Sequence, residues 1–361
     1  MIRVAGLSAQ VGAFRLRDVS FEVPAGRYGV VIGPVGSGKT TLLETIAGII
    51  APHAGSVVLD GRDVTGEPPE RRRLGIVYQH SYLFPHLGVA DNVAYAAADR
   101  AFADRIAERV GARALYDRPV RALSGGERQL VALARAFAVK PSVLLLDEPF
   151  SALDPRTRTQ ARRAVRALHR DLGITVLQVS HDFTEAGLLG DVAILLDQGS
   201  VLQSGSPDAL FRQPATPYVA EFLGAENVLA GTVRALGSGW PDGADVHGAA
   251  KALARAHRPL EFRAGPLTIY TVGDASEGDM HAVIRAEEIV LSRDPSPTSA
   301  RNHFGGTIRE VATTGALTLV TVDVGGIALV ASLTTRSADE LALARGVRVY
   351  ASFKAMAVHL C

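Results

Sequence analysis

The octapeptide Gly33-Pro34-Val35-Gly36-Ser37-Gly38-Lys39-Thr40 narrows what this chain can become more than any other feature. It follows an apolar run at 28–32 and opens a stretch, 39–49, in which Leu42, Leu43, Ile46 and Ala47 recur at helical spacing. A strand, a glycine-rich turn and a helix in that order are the context in which this pattern cradles phosphate. Glycines let backbone N–H groups turn toward an anion, and the helix N-terminus adds positive potential. Lys39 then reaches the β- and γ-phosphates of a nucleotide and the Thr40 hydroxyl takes Mg²⁺. Gly33, Pro34, Val35, Gly36, Ser37, Gly38 and Thr41 complete the cradle. A chance glycine-rich turn would not need the flanking strand and helix.

The run Val143-Leu144-Leu145-Leu146-Asp147-Glu148 predicts a buried strand with two carboxylates at its carboxyl end, where open α/β sheets bind ligands. Beside a phosphate loop, Asp147 is placed to hold Mg²⁺ and Glu148 to polarise an attacking water. Alone, the same run reads as a buried strand ending in a solvated acidic turn. Leu123-Ser124-Gly125-Gly126-Glu127-Arg128-Gln129 opens a helix as a capping box, with Ser124 as N-cap and Glu127 three residues on. Capping boxes open many helices. Here the paired glycines also strip side chains from the helix end and leave its N–H groups bare to an outside anion.

Short apolar strands alternate with turns and helix before residue 80 and again from 143 to 201. The Ala-, Arg- and Leu-rich segment between them, about 82–140, reads as a helical insertion. The fold class expected is α/β, a mostly parallel, helix-covered sheet. After about Asn227 the character changes, and short strands at 267–272, 318–324 and 327–332 predict a small β-barrel or sandwich. Domains of 1–226 and 227–361 follow, with the Pro- and Ser-containing run Arg293 to Ser299 as a link between halves of the second.

A length of 361 residues leaves room for two or three compact units. Net charge of +1 gives no broad basic field for nucleic acid and no polybasic membrane tail. The longest apolar runs are strand-length, far short of the roughly 20 residues of a membrane-spanning helix. The opening residues carry no apolar core behind a basic end, so no secretory signal is expected. Cys361 is the single cysteine, which excludes a disulfide framework. These features describe a soluble cytoplasmic chain that serves a membrane, if at all, through a partner.

Taken in order, the phosphate loop, Gln79, Leu123 to Gln129, Val143 to Pro149, Ser151-Ala152-Leu153-Asp154 and His181 resemble the ATP-binding cassette (ABC) transporter ATPases. The resemblance runs through about the first 225 residues. It implies a P-loop NTPase core, ATP and Mg²⁺ as cofactors, ATP hydrolysis, and a homodimer closed around two ATP. Ser124, Gly125 and Gly126 of one copy would meet the γ-phosphate held by the other, and Asp154 would couple the two sites. His181 would hold the γ-phosphate from the side opposite Lys39. Gln79 would join the metal shell and link nucleotide state to integral-membrane permease subunits, received at Tyr82 to Leu87. The implied catalytic set is Glu148, His181, Gln79 and Lys39, and the metal set Thr40, Gln79 and Asp147. An external solute-binding protein is an indirect partner, and the chain would work peripherally at the cytoplasmic face of the cell membrane. One departure stands out: the family usually stacks adenine on an aromatic residue upstream of the loop, where this chain has Val11, with Phe14 a few residues later.

The tail resembles the accessory β-domain of importer cassettes. Within it, 298–361 is similar to a molybdate-binding (molbindin-type) domain, through Thr298 to Asn302, Gly315 to Leu317, Ser337 to Leu341 and Phe353 to Val358. That implies a small all-β, OB-like domain, and a tetrahedral oxyanion, molybdate or tungstate, as cargo sensed by the tail. Ser299, Arg301 and Lys354, with Thr335 and Ser337, supply the hydroxyls and cations that such an anion needs. The family often has a hydroxyl residue after Lys-Ala, where Met356 and Ala357 stand here. The alternative is an importer of another solute, such as sulfate, iron(III) or a polyamine, with a purely structural tail. A cassette working in translation or DNA repair would carry two fused cassettes or a long coiled coil. The single phosphate loop and the lack of sustained heptads weigh against it.

Overall fold

Tyr28–Ile32, Val143–Asp147 and Thr175–Ser180 are buried at every residue, as strands covered on both faces must be. In the computed structural model, which describes residues 1–236, 258–295 and 298–361, they form the centre of a six-stranded sheet. Its order is Ser200–Gly205, Val192–Asp197, Tyr28–Ile32, Thr175–Ser180, Val143–Asp147, Gly75–Val77. The strands from Val192–Asp197 to Gly75–Val77 run parallel, and Ser200–Gly205 alone is antiparallel. Parallel strands deliver their carboxyl ends to one edge. Gly33 follows Ile32, His181 follows Ser180, Glu148 follows Asp147, and Gln79 lies two residues past Val77.

A four-stranded antiparallel sheet, ordered Phe14–Val23, Ile2–Val11, Ala54–Leu59, Arg62–Asp63, closes the other side of the core. Its strands alternate buried and exposed residues: Ile2, Val4, Leu7 and Ala9 point inward, as do Leu16, Val19, Phe21 and Val23. They meet Leu42, Leu43 and Ile46 of the helix Lys39–Ala47 and Leu145, Leu177 and Val179 of the central strands. Each such side chain contributes about 1.5–3 kcal/mol by leaving water. The helices Val89–Ala94, Arg100–Val110 and Gly125–Ala138 fall between Gly75–Val77 and Val143–Asp147, as the composition of that segment anticipates. Among the described residues no helix is long and apolar enough to cross a membrane.

The chain divides into compact units Met1–Leu210 and Phe211–Cys361, a boundary earlier than the composition change near Asn227. The side chain of Arg285 explains the difference, since it donates to Phe211 O at 2.7 Å and Leu223 O at 3.2 Å. The short helix Pro217–Phe222 also packs on Asn227–Ala235 and Gly278–Ile284.

The second unit holds two five-stranded antiparallel sheets around one apolar core that includes Phe262, Ile269, Val320, Leu329, Val349 and Phe353. One sheet is ordered Leu267–Gly273, Arg258–Ala264, Asn227–Ala235, Gly278–Ile284, Val358–Leu360. The other is Val290–Ser292, Arg348–Phe353, Asn302–Thr314, Leu317–Val324, Ile327–Thr334. A buried asparagine from each sheet bonds the edge strand of the opposite one. Asn227 donates to Val330 O at 2.9 Å and accepts from Val330 N at 2.7 Å. Asn302 likewise donates to Tyr270 O at 2.9 Å and accepts from Tyr270 N at 2.7 Å. Ser296 and Pro297, within the link expected at 293–299, lie outside the described residues.

Candidate functional site

The phosphate loop works only with its glycines in place. Gly36 and Gly38 have φ of 83° and 100°, the left-handed region that side chains avoid. A Cβ on Gly38 would lie 2.4 Å from the Phe14 ring, and one on Gly33 2.0 Å from Leu196 O. Lys39, 7% exposed, folds its ammonium into the loop and donates to Gly33 O and Pro34 O, each at 2.8 Å. Burial pushes its pKa down, and the nearby Glu148 and Asp147 carboxylates push it back up. Ser37 Oγ is buried beside Gly33 with no hydrogen-bond partner. Buried hydroxyls are seldom left so, and a phosphate oxygen would satisfy it. The cradle therefore fits a nucleotide phosphate.

Asp147 is 3% exposed and accepts from Thr40 Oγ1 at 3.4 Å. Burial raises its carboxyl to about 6 against that hydrogen bond, and Glu148 and Glu44 add to the rise. A buried carboxylate that is costly to ionise, beside a hydroxyl oxygen, suits a hard divalent cation such as Mg²⁺.

Next in the chain, Glu148 has φ of 43°, a strained value for a side chain with a Cβ. The turn is held by Glu148 N donating to Val179 O at 3.1 Å and by Ser151 Oγ donating to Glu148 O at 3.0 Å. It directs one carboxylate oxygen to His181 Nδ1 at 3.0 Å and the other to the Gln79 amide at 3.4 Å. Lys39, Asp147, Glu148, His181 and Gln79 thus gather on one sheet edge. An anchored ammonium, oxygen donors for a metal and a carboxylate open to water are the groups that phosphoryl transfer to water requires.

The capping box at Ser124 is present as the sequence predicts: Ser124 N donates to Glu127 Oε2 at 2.8 Å and Glu127 N to Ser124 Oγ at 3.2 Å. A Cβ on Gly126 would come within 3.0 Å of Ala152 O, so the bare helix end can lie against the turn leading to Asp154. Asp154 caps the helix Pro155–Leu172 by accepting from the N–H groups of Arg156 and Thr157. Among the described residues no hydrogen bond joins Ser124, Gly125 or Gly126 to Lys39, Glu148 or His181.

Two ties lay beyond sequence reasoning. Gln129 donates to Tyr78 O at 3.2 Å and Arg135 to Tyr82 O at 2.6 Å, so the Gly125–Ala138 helix grips the segment around Gln79. The only trace of this in the sequence is a polar residue on an otherwise apolar helix face. Upstream of the loop, Phe14 is half-buried against Gly38, whereas Val11 is exposed.

Comparison with known proteins decides the family. Residues 16–151 match the ABC transporter family and residues 298–360 the TOBE domain. The chain is 38% identical to the molybdate/tungstate import ATP-binding protein WtpC of Pyrococcus horikoshii, over 100% of this chain and 99% of that protein. This chain belongs to the ABC transporter family. It is an ABC-type ATPase. A second relative, the sulfate/thiosulfate import ATP-binding protein CysA of Mycolicibacterium paratuberculosis, is 46% identical over 60% of this chain and 62% of its own length. Among solved structures, a dimeric bacterial ABC transporter cassette aligns at a TM-score of 0.53 and 28% identity, over 57% of this chain and 99% of that one.

In the TOBE region of this ABC ATPase the oxyanion candidates fall into two groups. Asn302 pairs with Phe353, so Arg301 and Lys354 adjoin at one end of Asn302–Thr314, with Ser299 just before it. Thr335 lies past the other end: Thr314 pairs with Leu317, and Leu317 with Thr334. There Thr335 Oγ1 donates to Gly315 O at 3.1 Å, and Ser337 is bonded to Thr334, its own helix cap. The intervening strand has 13 residues, which at about 3.4 Å per residue span roughly 40 Å. The structure does not bring the five together within one chain. Met356, where the resembled family often has a hydroxyl residue, is 82% exposed.

Proposed function

We propose that this ABC ATPase powers import of molybdate or tungstate, working as a pair of copies beneath integral-membrane permease subunits. The observation that carries hydrolysis is the Glu148 carboxylate, held between His181 and Gln79 on the edge that also bears Lys39 and Asp147. In this reading Lys39 draws charge from the β- and γ-phosphates, and Ser37 with the loop N–H groups holds their oxygens. Thr40, Asp147 and Gln79 hold Mg²⁺, which when bound neutralises phosphate charge. Glu148 orients a water and accepts its proton, while His181 steadies that carboxylate and faces the γ-phosphate. Fixed charge and positioning are most of what this reaction asks of a protein.

Ser124, Gly125 and Gly126 of a second copy would complete each site, with Asp154 coupling the two. The dimeric state of a similar solved cassette supports this. Tyr82, 66% exposed, begins the segment through Leu87 that would receive the permease. The Asn92 side chain holds that segment by bonding Phe84 N, Phe84 O and Leu87 O. The chain would then act at the cytoplasmic face of the membrane, and an external solute-binding protein would deliver cargo.

Alignment with WtpC over the whole chain, tail included, supports molybdate or tungstate; sulfate is the second reading, favoured by the higher cassette identity to CysA. Ser299, Arg301, Lys354, Thr335 and Ser337 would let the tail sense the cargo. Deleting the gene in its host, then measuring cellular molybdenum and tungsten beside radiolabelled sulfate uptake, tests the cargo. Loss of both metals with normal sulfate uptake is expected. Loss of sulfate uptake alone would overturn the molybdate or tungstate reading.

A further inference from the structure

Arg162 sits on the helix Pro155–Leu172, whose Arg156, Arg163 and Arg170 are exposed, yet its own side chain is 13% exposed. Its guanidinium donates to Asp182 Oδ2 at 2.6 Å and, through two nitrogens, to Glu185 Oε1 at 3.0 and 2.5 Å. Asp182 is the residue after His181. Its other oxygen caps the helix Phe183–Leu189 through Thr184 N at 2.9 Å, and its own N–H donates to Ser180 Oγ at 3.0 Å. The backbone on both sides of His181 is therefore pinned, while the imidazole, 56% exposed, is held by Glu148. Burial alone would raise the Asp182 carboxyl, but the Thr184 and Arg162 hydrogen bonds hold it low and ionised.

The second Glu185 oxygen accepts from the Gln178 amide, whose carbonyl accepts from the Tyr28 hydroxyl at 2.5 Å. This buried chain runs from the His181 turn to the strand that leads into the phosphate loop. A cavity of about 60 Å³ has Arg162 and Glu185 on its wall together with Glu148 and His181. We propose that Arg162 is a positioning residue for ATP hydrolysis. It locks His181 against Glu148 and ties that pair to the helix that Asp154 begins. Eight residues of rigid helix then connect Asp154 to the turn carrying His181. A planar fork suits two carboxylates at once, which a lysine, as a single point charge, does not reproduce.

The inference rests on the hydrolytic reading of Glu148 and His181, and the experiment separates the two. Steady-state ATPase rates and binding of a fluorescent ATP analogue are measured for Arg162→Lys and for the double variant Arg162→Met/Glu185→Gln. The double variant leaves fewer buried charges unpaired than Arg162→Met alone, and its melting curve checks the fold. Both are expected to lose about 10- to 100-fold in kcat, with KM and nucleotide affinity held within about twofold. In a His181→Ala background Arg162→Lys adds no further loss, because the group it positions is gone. A folded double variant with the parent kcat, or losses that multiply in the His181→Ala background, would overturn the proposal. Glu148→Gln is assayed beside them. If it hydrolyses ATP at the parent rate, the hydrolytic reading itself falls; if it is inactive while the Arg162 variants match the parent, only the positioning role falls.

Discussion

In the first unit, Gly33, His181, Glu148 and Gln79 leave four neighbouring strand ends of a single sheet; in the second, Arg301 and Lys354 lie at one end of Asn302–Thr314 and Thr335 at the other. The contrast follows from strand direction. Parallel strands need long crossovers, so residues distant in sequence return to the same edge. Antiparallel strands reverse at every turn, so successive turns land on opposite rims. The Gly315 turn and Thr335 share one rim, and Arg301 and Lys354 the other. A pocket that used all five oxyanion candidates would need rims from two copies, whereas Gln79, Glu148 and His181 already touch within one chain.

Glu148→Gln probes the shared edge most severely. Phosphate release should fall about 10²- to 10⁴-fold while ATP still binds, and a parent-like rate would place the chemistry elsewhere. Phe262→Ala removes a ring that only the second unit buries. It should cost that unit about 3–5 kcal/mol, seen by calorimetry as an earlier transition with ATP hydrolysis retained. Loss of hydrolysis in step would break the separation of roles.

Asp147→Asn should work in the opposite direction. In the folded protein Asp147 titrates at about 6 rather than 3.8, so its native state holds the proton longer and ionisation above pH 4 costs stability. The substitution should stabilise the metal-free protein by up to about 3 kcal/mol above pH 6, with the gain vanishing below about pH 4. Melting curves across that range check it, with ATPase activity lost throughout. Ser124→Ala should cost about 1 kcal/mol through the lost helix cap. Lys354→Ala, on an exposed rim, should change stability by less than about 0.5 kcal/mol. Calorimetric titration with molybdate should nevertheless show weaker binding if that rim holds the anion.

What could be read from the chain alone follows the same division. The phosphate loop, the strand before Asp147 and the capping box at Ser124 are local patterns, each complete within about a dozen residues, and each stands where expected. The order of the six strands is not local. Nor is the positive φ of Glu148, which depends on a bond to Val179 O. Arg162 was hidden because an arginine-rich helix reads as a solvated face, and only the fold brings Asp182 and Glu185 to it. In the strands Ile2–Val11 and Phe14–Val23 polar outward residues dilute the apolar signal, so their alternation stands out only once the buried face is known. The boundary at Phe211 depends on Arg285, 74 residues away.

Asn227 and Asn302 give the β-unit a form of proofreading. Each amide both gives and takes a hydrogen bond, so it recognises one peptide N–H and one C=O on a strand that, among the described residues, has no neighbouring strand on that side. A slip of one residue would bring to that edge, in place of Val330 or Tyr270, a neighbour whose N–H and C=O point the other way, into its own sheet. An aspartate of the same shape would set two acceptors against one donor and one acceptor. Because an amide carries no charge at any pH, acid cannot release either fastening. The unit checks its own alignment twice, once from each sheet.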